Sequence, residues 1–154
     1  MKIEKKLNAL GYELPVPSRP TGNYIPHVQV GDILFVGGTI GRFEGVPLKY
    51  PGKVGDTVTL EQAYEMARNC ALNHLARIKN ALGDLDRVER IVKVTGYVNV
   101  APGFKDMPKV INGESDLLIE LWGERGLHTR AAVGVASLSG DGPVETEIIV
   151  QVKP

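Results

Sequence analysis

The sequence predicts a mixed α/β domain: one sheet covered on one face by two long helices, with a short helix at the N-terminus. Two observations carry this. Residues 60–82 keep an uninterrupted helical spacing of apolar side chains between a start signal and a stop signal, and β-branched segments on both sides of it alternate as strands do. Strands joined through two long helices call for a layered sheet with the helices packed on one side.

The elements follow in order. Ile3, Leu7 and Leu10 lie at helical spacing over Lys2–Leu10, and Gly11 ends the segment. Pro15, Pro17 and Pro20 make the stretch to Thr21 an extended connector, so residues 1–21 are an N-terminal helix and linker of a single domain spanning 1–154. Tyr24–Val30 and Ile33–Val36 read as strands around a Gly31-Asp32 turn, a β-hairpin. Gly37-Gly38 follow, where a backbone can approach a ligand or another strand closely. After a loop over Gly41–Asp56, Thr59-Leu60-Glu61-Gln62 matches a capping box. Ala63, Ala67, Cys70, Ala71, Leu75, Ile78 and Leu82 then form one helical stripe, closed by Gly83. His74 lies on the inner side of that helix and reads as a core histidine. Ile91–Val100 is a strand with Val92, Val94, Gly96 and Val98 on one face. A second helix covers Asn112–Trp122, with a first turn possible from Pro108, and Asn112 is placed to cap it. Arg130–Leu138 and Val144–Val152 are the last strands.

Composition narrows the function classes. Lys plus Arg and Asp plus Glu both number 18, so the formal net charge is zero, and a dedicated nucleic-acid binder would carry a basic excess. The single cysteine, Cys70, excludes an internal disulfide and any multi-cysteine metal site, and reads as a small buried residue. The N-terminus lacks the apolar core of a secretory signal, and no run approaches a membrane span. A soluble, cytoplasmic protein with no nucleic-acid or membrane partner is expected.

Arg130 is the residue that points to chemistry. It opens the apolar strand Thr129-Arg130-Ala131-Ala132-Val133-Gly134-Val135 and shares a face with Ala132 and Gly134, which carry almost no side chain. A guanidinium beside such positions suggests a niche for a small anion, held by two parallel N–H donors. An arginine paired with an internal carboxylate, or snorkelling at a strand end, is the structural alternative. Glu145 and Glu147 share one face of the last strand, and a carboxylate near a cationic site could hold or deprotonate a water. If the last two strands formed a simple hairpin, Arg130 and Glu145 would be offset by about six residues, roughly 20 Å. A shared site therefore needs another strand order or a second subunit. Tyr24 offers a phenol at the start of its strand. No P-loop, dinucleotide fingerprint, nucleophile elbow or metal-ligand histidine spacing is present.

Read together, three segments resemble the Rid family, the YjgF-like reactive intermediate deaminases: Gly22-Asn23-Tyr24 running into Leu34-Phe35-Val36-Gly37-Gly38; Thr129-Arg130-Ala131-Ala132-Val133; and Val144-Glu145-Thr146-Glu147. The resemblance covers about Gly22 to Val152. It implies a chorismate-mutase-like α/β fold, assembly as a homotrimer and ligand clefts between subunits. It further implies that Arg130 binds the carboxylate of an enamine or imine derived from an amino acid, and that Glu145 positions the hydrolytic water. Tyr24, Gly38 and Asn112 would be further substrate-binding positions. The implied reaction hydrolyses a small 2-imino acid to a 2-keto acid and ammonia, with no metal or organic cofactor required. A non-catalytic binding protein for a 2-keto acid and an endoribonuclease are the alternative functions. The chain departs from the family pattern at Ala132, where active deaminases often carry cysteine, and at Gly37, where serine is common. The N-terminal helix and the longer Gly103–Asn112 region mark a divergent subgroup.

Overall fold

The computed structural model describes residues 1–154. The elements are α1 (Lys2–Ala9), β1 (His27–Val30), β2 (Ile33–Thr39), α2 (Leu60–Leu82), β3 (Val88–Asn99), α3 (Met107–Trp122), β4 (Thr129–Val135) and β5 (Val144–Val152), with short 3₁₀ turns between some of them. The five strands form one sheet in the order β1-β2-β5-β3-β4. Only β3 and β4 are parallel, joined through α3, and every other neighbouring pair is antiparallel. This is the mixed sheet with two long helices that the sequence predicts.

Local chemistry accounts for the longest helix. The Thr59 hydroxyl accepts from the Gln62 N–H at 3.1 Å while the Gln62 amide oxygen accepts from the Thr59 N–H at 3.0 Å, which satisfies two N-terminal donors. Gly83 closes α2 at φ +82, a left-handed conformation that costs glycine little. Its stripe of Ala63, Ala67, Cys70, Ala71, Leu75 and Ile78 is fully buried. Each Leu or Ile so buried contributes about 1.5–3 kcal/mol. α3 lies close against α2 because Gly113 has no side chain: a Cβ there would sit 2.0 Å from the Tyr64 carbonyl oxygen. The core fills the space between these helices and the inner face of the sheet, where Leu34, Val36, Ile91, Val94, Val98, Ile148 and Val150 are buried.

Several boundaries differ from the sequence expectation. β1 begins at His27 rather than Tyr24, because Pro26 has no N–H to give a ladder. β2 continues to Thr39 through an irregularity at Gly37-Gly38, where pairing with β5 jumps from Val36–Ile148 to Thr39–Thr146. β3 starts at Val88, and its pairing with β5 shifts between Ile91 and Lys93, so Ile91 and Val94 both face the core while Val92 is only half-buried. β4 stops at Val135 rather than Leu138. α3 starts at Met107, since Pro108 is tolerated in a first turn that has no intrahelical donor to lose. Asn112 is therefore inside the helix and is not its cap.

Candidate functional site

β4 and β5 do not form a hairpin; they flank β3 on opposite sides. Arg130 pairs with Val94 and Glu145 with Tyr97. The two residues are thus two strand spacings apart and three residues out of register, roughly 14 Å between Cα atoms. They also face opposite ways. Val94 is buried beneath the helices, whereas Glu145 alternates with the buried Val144 and Thr146 and faces the side of the sheet that no helix covers.

Arg130 is held by α3. Its Nη1 donates to Asn112 Oδ1 at 2.7 Å and to Ser115 Oγ at 3.1 Å, and its Nη2 donates to the Pro108 carbonyl at 3.2 Å. Ser115 is fixed in turn by His128, 2.8 Å from its Nε2. His128 Nδ1 donates to the Gly126 carbonyl at 2.7 Å, which leaves Nε2 to accept from the Ser115 hydroxyl and keeps the serine lone pairs for Arg130. All three acceptors of Arg130 are neutral, and no arginine of the chain forms an ion pair. An arginine has five N–H donors. The three bonds leave Nε–H and one Nη2–H, the number a bidentate carboxylate takes. The niche expected beside Gly134 is filled from within: a Cβ there would meet Val100 at 3.0 Å.

Tyr24, Gly38 and Glu145 meet elsewhere, in the wall of one cavity of about 340 Å³. Gly38 makes room for the carboxylate, since a Cβ on it would lie 3.0 Å from Glu145 Oε2. Burial, and then the neighbouring Glu147, push the Glu145 carboxyl above its ordinary range. The Tyr24 hydroxyl accepts from the Thr21 N–H at 3.3 Å, and hydrogen bonding to Thr21 draws the phenol below its usual value.

The structure adds residues that sequence reasoning missed. Arg77 lines this cavity and donates to the carbonyls of Gly37 (3.0 Å) and Gly38 (3.1 Å) and to Ser18 Oγ (2.7 Å). Arg19 and Arg42 line it as well. His74 is fully buried, as the sequence suggests, and is one half of a pair: Nδ1 lies 2.7 Å from Glu114 Oε1 and Nε2 lies 3.2 Å from the Gly37 carbonyl oxygen. The available signal was on α2, where His74 and Arg77 interrupt the apolar stripe one turn apart.

These features define a class: a small α/β domain with an anion-ready arginine on an edge strand and a carboxylate-bearing cavity at the opposite side of the sheet. Residues 4–139 match the family model described as "YjgF/chorismate_mutase-like, putative endoribonuclease", and the chain belongs to that family. It is 38% identical over 151 residues to Protein TCP17 of Trypanosoma cruzi, covering 97% of this chain and 94% of that one. It is similar to the crystal structure of Atu1372 from Agrobacterium tumefaciens, a protein of unknown function, with a TM-score of 0.91, 40% identity, and 99% and 93% of the two chains covered. A crystal structure named as a "putative endoribonuclease" from Shewanella oneidensis MR-1 matches with a TM-score of 0.93 and 32% identity over 97% and 99% of the chains. The resemblance to YjgF-like proteins read from three short segments therefore holds across nearly the whole chain. No helix is long and apolar enough to cross a membrane.

Proposed function

We propose that this protein is a hydrolytic deaminase of small reactive 2-imino acids, working in clefts between copies of a homotrimer. The observation that carries the reading is Arg130: a guanidinium locked by neutral acceptors, with its charge uncompensated and two donors left over. It takes the substrate carboxylate as a fork. Because Arg130 and Glu145 face opposite sides of one sheet, the carboxylate clamp of one copy meets the Tyr24–Gly38–Glu145 cavity of the next. Asn112 contributes by orienting Arg130 through its Oδ1 rather than by touching substrate.

The substrate arrives activated, so the site needs to orient it and place one water. Glu145, half-buried beside Gly38, accepts a proton of that water as its oxygen adds to the C=N carbon. The proton is passed to nitrogen to give a carbinolamine; its hydroxyl proton then moves through the same carboxylate to nitrogen as the C=O bond forms and the C–N bond breaks, and ammonia and a 2-keto acid leave. Burial and the Glu147 charge hold the Glu145 carboxyl above its ordinary range, which makes its ionised form a stronger base for that proton than an exposed carboxylate. The net charge of zero supports the small-molecule reading over an endoribonuclease, which would have to track a phosphate backbone. The test generates 2-aminoacrylate in situ and follows its loss with wild type and Arg130→Ala side by side. Wild type accelerates the loss and Arg130→Ala does not, while assembly is retained. Equal rates for the two proteins would sink the reading.

A further inference from the structure

The cavity that holds Glu145 carries more positive charge than that carboxylate can balance. Arg19, Arg42 and Arg77 line it, and none of them has an ion-pair partner. Arg77 decides the matter. It is only 7% exposed, its bonded acceptors are two backbone carbonyls and a serine hydroxyl, and its Nε is buried without a partner. Burying a cation without a counter-charge is costly, and a neutral amide could clamp two carbonyls without that cost. The charge itself is therefore unexplained by the structural role. An anion in the cavity would supply what is missing, with the exposed Arg42 at the rim to draw it in.

We infer that the cavity holds a second anionic group of the substrate, so that the preferred substrates are 2-imino acids whose side chain ends in a carboxylate. This rests on the deaminase reading: Arg130 of a neighbouring copy takes the carboxylate next to the imine, and Arg77 with Arg42 takes the far one. Glu145 then lies between the two cationic ends, beside the carbon that water attacks.

The test compares 2-iminoglutarate with 2-iminopentanoate, formed in situ by an amino-acid oxidase from glutamate and norvaline. The two match in length and differ in a terminal carboxylate against a methyl. Wild type favours 2-iminoglutarate by about tenfold or more in kcat/KM, as a site built around a charged partner does. Arg77→Gln brings the ratio close to one, and Arg42→Gln, which leaves the Gly37-Gly38 clamp untouched, lowers it as well. A ratio near one in wild type, or a ratio that neither variant changes, overturns the inference and leaves the deaminase reading standing. If wild type turns over neither imine, the deaminase reading falls, and calorimetry with 2-oxoglutarate against 2-oxopentanoate decides the anion site. Tighter 2-oxoglutarate binding that Arg77→Gln weakens supports it; equal affinities overturn it.

Discussion

At the scale of single residues, the candidate chemistry depends on how two charged groups are held. Arg130 keeps its fork because Asn112, Ser115 and Pro108 accept from the other donors, and none brings a negative charge that would quench it. Lysine could not replace it, since a point charge cannot share one carboxylate and three fixed acceptors. Glu145 is tuned first by burial and then by Glu147, both of which disfavour ionisation. If the ionised form holds the water, the acid limb of kcat/KM lies above the ordinary carboxylate range. Removing the neighbouring charge with Glu147→Gln should move that limb to lower pH, and a pH–rate profile reads the shift directly; a limb that stays put contradicts the assignment. The stability sign is the reverse of the usual carboxylate case. A folded-state pKa above the unfolded value gives a contribution that is present below about pH 4 and is lost as pH rises through the raised value. Glu145→Gln should therefore gain melting temperature over wild type as pH rises from below the ordinary carboxylate range through the raised titration of Glu145, which thermal melts across a pH series would read.

At the scale of elements, α3 holds Arg130 and α2 clamps the Gly37-Gly38 backbone beside Glu145, and the closeness of the two helices is set by Gly113. Gly113→Ala would press a methyl into the Tyr64 carbonyl at 2.0 Å and the Ala67 Cβ at 2.9 Å. Overpacking of this kind costs about 1–3 kcal/mol. A urea titration should show that loss as a lower midpoint with an unchanged slope, and imine turnover should fall with it because Asn112 and Ser115 flank the altered residue. An unchanged midpoint would mean that the helices part without cost. The same packing shows which parts of the molecule were legible in the sequence. α2 could be read to the residue, because its caps and its apolar stripe are local signals. β5 could be read as well, since its alternation is unbroken. The start of α3 could not, because Asn112 and Pro108 both resemble helix beginnings and only the tertiary bond from Arg130 to Asn112 separates their roles. The inner face of β3 could be read at Val94, Gly96 and Val98 but not at Val92, since the one extra residue at the pairing shift there reverses the alternation without a mark in the sequence. Arg130, Glu145, Tyr24 and Gly38 stood out as residue types in suggestive places. Arg77 did not, because an arginine in a helix is ordinary until its partners are known.

At the scale of the whole molecule, one chain holds Arg130 and Glu145 on opposite faces of its sheet, so the proposed reaction needs a second copy to bring them into one cleft. The uncovered face of the sheet also carries exposed apolar side chains: Val28, Phe35 and Val133 remain 47%, 44% and 43% exposed. A sheet with exposed apolar side chains on its bare face would gain by pairing with further copies, and the proposed cyclic assembly would let the clamp of each copy meet the cavity of the next. Subunit complementation tests this most directly. Arg130→Ala and Glu145→Gln each remove one half of every cleft, so each protein alone should be inactive on 2-aminoacrylate. Co-assembled in equal amounts, they should recover about a quarter of wild-type activity, because a random trimer places an intact arginine opposite an intact glutamate in about one cleft in four. No recovery in trimers shown by native mass spectrometry to contain both chains would contradict the shared cleft.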